Sequence, residues 1–270
     1  MEKQDKQFLE ITNRSGFLFQ MAIENSIRSE LKSENFHVIS SEHPWIDPRT
    51  NEEGFIDLIV EAGIEKFVIE CKRPKGGRWF FLVPDTSNER NPYGRLTWSS
   101  RIQDKPSVLG VSDYLLFPES YESGICIIRS EGEDERTLLE RYAGRLISSV
   151  NAIAFEESQL APNPFTAGVV YIPIIVTTAI LNVAKVDVNK ISLEDGTIAD
   201  LKYEEVQIIK FRKSLVTELS PNAMPSDIQS ASEDKERTVF IVNSKYLIDN
   251  LKHMGVRSNA GTFPWQKMKI

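Results

Sequence analysis

The sequence predicts an α/β protein, a mixed sheet packed by helices. Three observations carry that prediction. An apolar stripe at helical spacing runs through residues 15–31. Two short β-branched runs, 55–61 and 66–72, are joined through a glycine. A longer helical pattern over 133–158 precedes another strand-rich run. Helix, strands, excursion, helix, strands is the order of a sheet whose crossing segments cover its faces.

The elements follow in chain order. Residues 1–13 are polar and predict a loosely ordered start. From Ser15 onward Phe17, Met21, Ile27 and Leu31 recur near a 3.6-residue period, widened by Leu18, Ala22 and Ile23, with Ser15 as N-cap. Residues 36–40 alternate as a strand, and Pro44, Asp47, Pro48, Asn51 and Gly54 mark turn material. FIDLIVE and KFVIECK, separated by residues 62–65 with Gly63, read as an antiparallel hairpin. Residues 78–110, punctuated by Pro84, Pro92, Gly94, Pro106 and Gly110, predict a long loop-like excursion, a feature that is often functional. Strands are expected at 114–117 and 125–129. In the helix over 133–158, Leu138, Leu139, Tyr142, Leu146, Ile147, Val150 and Ile153 share a face. Residues 169–188 are strongly β-like, as two strands or one long bent one. Further strands are expected at 206–215 and 238–242, a loop at 220–236 and a short helix at 246–253.

Composition narrows the function classes. The 270 residues carry 39 Asp+Glu against 32 Lys+Arg, a net charge of −7, which argues against indiscriminate coating of nucleic acid. Two cysteines, Cys71 and Cys126, are too few for a disulfide scaffold or a four-cysteine zinc site. The three histidines, His37, His43 and His253, lack metal-ligand spacing. No apolar run approaches the ~18 residues of a membrane span, and the first residues lack the apolar core of a signal peptide. A soluble, cytoplasmic protein with reduced thiols is expected.

The chemistry-bearing constellation lies on the hairpin. Strands alternate faces, so Glu70 and Lys72 point one way and Cys71 the other. In the simplest register Asp57 lies beside that pair on the neighbouring strand. Two carboxylates and an ammonium would then converge, inside runs that are otherwise apolar, where unpaired charge is costly. Carboxylate oxygens suit a hard cation such as Mg²⁺, which retains waters and sits beside phosphate. The lysine would orient the attacking water or stabilise charge in the transition state. A third acidic group would complete the set. Glu24 on the first helix is one candidate, and Gln20, four residues earlier on the same face, is the other.

Asp57…Glu70-Cys71-Lys72 resembles the D…(D/E)xK signature of the restriction-endonuclease-like, or PD-(D/E)XK, nuclease superfamily. SGFLFQMAIENSI resembles the glutamate-bearing helix that precedes those strands. The proline that usually precedes the first acidic residue is absent, the local sequence being Phe55-Ile56-Asp57. The resemblance is close over 15–72 and looser over 133–180. It implies an αβββαβ core with a mixed central sheet spanning 1–187, an insertion over about 73–130, and a C-terminal extension, 188–270, packed on or continuing the same domain. It also implies a Mg²⁺-dependent endonuclease, with Mn²⁺ able to substitute, that hydrolyses phosphodiester bonds, foremost in DNA. Asp57 and Glu70 would hold the metal, Lys72 would assist the water, and Glu24 would support the metal or the base. A microbial-defence setting and a homodimer are suggested by the same analogy.

Residues 72–105 hold eight basic side chains against three acidic ones, with Trp79, Phe80, Phe81, Tyr93 and Trp98 interleaved. This stretch is expected either to grip a phosphate backbone and stack bases, or to bury its aromatics as an insertion core. Lys75, Arg78 and Arg95 are the expected phosphate contacts. The competing functional class is a non-catalytic nucleic-acid-binding or regulatory module that keeps the nuclease scaffold.

Overall fold

The computed structural model describes residues 3–74, 77–85, 90–101, 107–128, 138–161, 168–220, 223–258 and 263–264. Two helices open the chain, α1 (Lys3–Arg14) and α2 (Phe17–Glu30). A meander follows, β1 (His37–Ile46), β2 (Glu53–Ala62) and β3 (Glu65–Lys72). Next come β4 (Arg78–Pro84), β5 (Tyr93–Ser100), β6 (Val108–Phe117), β7 (Glu122–Ser123) and β8 (Cys126–Ile128). The long helix α3 (Leu138–Ser158) leads to β9 (Gly168–Thr177) and β10 (Ile180–Val186). The chain continues through β11 (Lys202–Val206), β12 (Ile208–Ser214), α4 (Ile228–Lys235), β13 (Glu236–Asn243), α5 (Leu247–His253) and β14 (Gly255–Ser258).

The protein is α/β. Among the described residues a mixed sheet runs in the order β1-β2-β3-β9-β13-β12-β7, extended by β5, β6 and β14. β3 and β9 are parallel along their length, from Glu65 opposite Val170 to Lys72 opposite Thr177. β9 is buried at every position, as expected of a strand covered on both faces. A second sheet, β11-β10-β4-β8, packs its Trp79, Phe81, Val83 and Leu181 into the same core as α3. On the other face, Ile23, Ile27 and Leu31 meet Leu58, Val60, Phe67 and Ile69, with Leu247 and Leu251 of α5 alongside. Each such fully buried aliphatic or aromatic side chain contributes roughly 1.5–3 kcal/mol.

The hairpin forms as its sequence predicts. Leu58 pairs with Ile69, Val60 with Phe67 and Ala62 with Glu65, and Gly63 turns the chain at φ +64°, a conformation open to a residue without Cβ. The β-rich run over 169–188 is two strands, and they belong to different sheets.

Four local expectations are corrected. The start is helical: α1 is amphipathic, and Phe8 and Ile11 remain exposed. Gly16, rather than Ser15, is the N-cap of α2, because the Ser15 hydroxyl turns back to donate to the Thr12 carbonyl at 2.7 Å. The excursion after β3 is mostly strand: β5 pairs with β9, and β4 pairs with β10 and β8. The expected loop over 220–236 contains α4, opened by Asp227, whose carboxylate accepts from the Ser230 amide at 2.7 Å. No helix among the described residues is long and apolar enough to cross a membrane.

Candidate functional site

β2 and β3 pair as far as Leu58 and Ile69 and then part. β2 stays with β1, where Gly54 still pairs with Trp45, while β3 continues with β9. Into the opening comes the carboxylate of Asp57. Its Oδ2 accepts from the backbone N–H of Cys71 at 2.6 Å, so a side chain takes the place of the missing ladder bond.

Strand alternation sets Glu70 and Lys72, which have the parity of Val68, toward the α3 core. On β2 both Ile56 and Ile59 reach that core, so alternation breaks across this stretch, and Asp57 is placed near the pair by its bond to the Cys71 amide rather than by parity. Lys72 donates to Glu70 Oε1, and its ammonium lies 4.8 Å from the ring centroid of Tyr142 on α3. The Glu70 and Lys72 side chains keep 17% and 26% exposure, enough to remain open to solvent or a ligand. Cys71 packs on the opposite face, as alternation requires. Burial, and then the charges of Asp57 and Glu70, push its thiol above the usual range, so it is not a thiolate nucleophile.

The electrostatics are those of crowded carboxylates. Asp57 is pushed up to about 6, first by burial and next by the charge of Glu70; the Cys71 amide and Lys72 oppose the shift, and Glu42 adds to it. Glu42 on β1, a residue the sequence did not single out, adopts a left-handed φ of +53° between the pairs Ser41–Leu58 and His43–Ile56. That bulge-like conformation sets it across from Asp57, and no local sequence signal marks it.

The structure separates the two helical candidates. Gln20 is buried, and its Nε2 donates to the Asp57 carbonyl at 3.2 Å. Glu24, one turn later, is held by Arg28 at 2.7 Å in an i,i+4 ion pair. It is Gln20, not Glu24, that reaches the strand of Asp57. Among the described residues no three His, Cys, Asp or Glu side chains are grouped so as to hold a metal ion.

The expected phosphate contacts fare differently. Arg95 is sandwiched between Asp113 at 3.0 Å and Asp234 at 3.1 Å, its charge compensated, so it is set aside as a phosphate contact. Arg78 is exposed and donates to Asn182 Oδ1 at 3.2 Å at the start of β4, the strand that follows Lys72. Lys75 lies outside the described residues. Of the interleaved aromatics, Trp79, Phe81 and Trp98 are buried, and Phe80 meets Tyr203 edge-on, so the buried three are unavailable for stacking on bases. Their alternation with Arg78, Phe80 and Leu82 was the signal for a strand with one core face.

A cavity of about 1,010 Å³ lies along the stripe of α3 formed by Arg141, Gly144, Arg145, Ser148 and Asn151. Asp57, Glu70 and Lys72 do not line it. No protein-family model matches the chain, and no curated protein and no solved structure matches it.

Proposed function

We propose that this chain is a metal-dependent endonuclease of the restriction-endonuclease-like superfamily that hydrolyses phosphodiester bonds in nucleic acid, foremost DNA. One observation carries the reading: where β2 and β3 part, the Asp57 carboxylate takes the amide of Cys71, between Glu70 and Lys72, and feels the charge of both, beside the gap rather than inside a ladder. The order α2, β1, β2, β3, α3, β9 supports it, since it is the αβββαβ arrangement that the resemblance implies.

The donor set fits a hard cation. Burial first, and then the charge of Glu70, raise Asp57 to about 6, and a divalent ion would relieve both costs. Asp57 and Glu70 would hold Mg²⁺ or Mn²⁺, which would polarise the phosphoryl oxygen and acidify a bound water. Lys72, freed from its bond to Glu70, would donate to the attacking oxygen or to the charge that builds on the phosphoryl group. Tyr142 would hold that ammonium in place, and Gln20 would fix the backbone that carries Asp57.

Cleavage of plasmid DNA in Mg²⁺ tests the proposal. Asp57→Ala and Lys72→Ala are expected to abolish cutting while circular dichroism stays unchanged. Full activity in either variant sinks the assignment. The second reading, a non-catalytic binding module on the same scaffold, draws on the capture of Glu24 by Arg28, which engages the helical carboxylate that the resemblance assigns to the site. Calorimetric titration with Mg²⁺ or Mn²⁺ separates the two: heat that depends on Asp57 supports the enzyme, and none supports the module.

A further inference from the structure

We propose that Arg141 and Arg145 of α3 hold the phosphate backbone of a single-stranded nucleic acid in the cavity along that helix. The choice of ligand rests on the nuclease reading.

The geometry begins at Gly54. A Cβ built on this residue would lie 2.6 Å from Nη2 of Arg145 and 3.2 Å from the Trp45 indole, so the guanidinium occupies the space over β2 that a side chain would have filled. Gly54 is three residues before Asp57 on that strand, about 10 Å at the rise of an extended chain. One turn earlier, Tyr142 stands over Lys72. The first turns of α3 therefore set Tyr142 against the candidate lysine and Arg145 over Gly54, on the strand that carries the candidate aspartate. Arg141 lies one turn before Arg145, and both line the cavity.

Two of the cavity's other arginines are already engaged, and the acidic groups unpaired among its described residues sit at one edge. Arg49 is tied to Asp47 at 3.0 Å and to Glu218 at 3.7 Å. Arg237 is buried and donates to the carbonyls of Asp234 and Glu236 at 2.7 and 2.6 Å. Glu52 and Glu53 are exposed on the 47–53 segment. Arg141 and Arg145 are exposed and, among the described residues, form no ion pair, so one helix face presents two guanidinium groups to the cavity. Paired guanidinium forks suit phosphate oxygens. The same cavity wall carries the apolar side chains of Val108, Leu109 and Val111, against which bases can lie. The Arg49–Glu218 pair joins the 47–53 segment to the 215–220 segment, both of which line the cavity. A site bridged in this way admits one flexible strand or a frayed end in preference to a rigid duplex.

The test is fluorescence anisotropy with labelled oligothymidylate, using the full chain with Ca²⁺ in place of Mg²⁺ so that binding is read without cutting. Arg141→Ala with Arg145→Ala is expected to weaken binding at least tenfold. It should also flatten the slope of log affinity against log salt by about 1.4, the loss of two single-strand phosphate contacts. Gly144→Leu provides an independent variant: a Cβ there would meet only the Leu215 carbonyl at 4.0 Å, so the larger side chain enters the cavity and should weaken binding without removing charge. Unchanged affinity and salt slope in the double-arginine variant overturn the inference, whatever the cleavage assay shows. Tighter binding of a hairpin duplex than of the single strand overturns the choice of strand. Arginine-dependent binding with no metal-dependent cutting would uphold this site and overturn the nuclease reading.

Discussion

The amide of Cys71 donates to the carboxylate of Asp57 at 2.6 Å, bridging two strands at the point where their ladder has ended. A backbone donor would otherwise be left open there. The same bond holds Asp57 in a buried place close to Glu70, where its negative charge is costly.

That cost has a definite sign. With a folded value of about 6, raised from 3.8, neutral Asp57 favours the fold below pH 4, and this contribution is lost as pH rises through 6. Asp57→Asn is therefore expected to be more stable than the parent at pH 8 by on the order of 1–3 kcal/mol, discounted for partial exposure, and equal to it below pH 4. Paired melting curves at the two pH values check this. A difference independent of pH would show that ionisation of Asp57 is not the cause.

Gln20 and Glu24 should behave oppositely. Gln20→Ala removes a hydrogen bond to the strand carrying Asp57 and is expected to cost about 1 kcal/mol and to lower kcat at least tenfold. Glu24→Ala breaks only an exposed i,i+4 pair, about 0.3–0.5 kcal/mol, and should leave cutting within twofold. Steady-state kinetics and urea melts of both variants decide; a greater kinetic loss in Glu24→Ala would return the role to the glutamate.

Tyr142 positions Lys72 through the face of its ring. A contact of this kind is worth about 0.5–2 kcal/mol, so Tyr142→Leu is expected to lower kcat roughly two- to thirtyfold at unchanged KM. Tyr142→Phe keeps the ring and should keep the rate. Equal losses in both variants would assign the effect to the phenol instead.

At the far end of β3 a buried charge network serves stability alone. Glu157 accepts from Lys66 at 2.5 Å, Arg101 at 3.0 Å and the Tyr171 hydroxyl at 2.9 Å. Glu157→Ala strands the nearly buried Arg101 and leaves Lys66 only the more exposed Glu61 at 3.3 Å, and is expected to cost about 3–5 kcal/mol. Lys66 is six residues from Lys72, about 20 Å along the strand. Turnover per folded molecule should therefore hold below the unfolding transition, and a selective loss of turnover would contradict that separation.

The sequence by itself determined the hairpin and the pairing of Glu70 with Lys72. Period-2 alternation in KFVIECK set those two side chains on one face and Cys71 on the other, and Gly63 closed the turn. The place of Asp57 beside them came only from the parting of β2 from β3. The 3.6-residue stripe of α3 was equally plain. Alternating Trp79, Phe81 and Val83 carried a strand signal that the charges and prolines around them masked. Tertiary structure alone decided the rest. Helical periodicity places Gln20 and Glu24 on one face but cannot say which reaches β2; Arg28 captures the glutamate and leaves the glutamine to bond. Arg95 and Arg145 are equally basic in the sequence, yet one is neutralised by Asp113 and Asp234, which lie 18 and 139 residues away along the chain, and the other has no ion pair among the described residues. Charge compensation of this kind is a property of contacts between distant segments, and only the folded chain makes them.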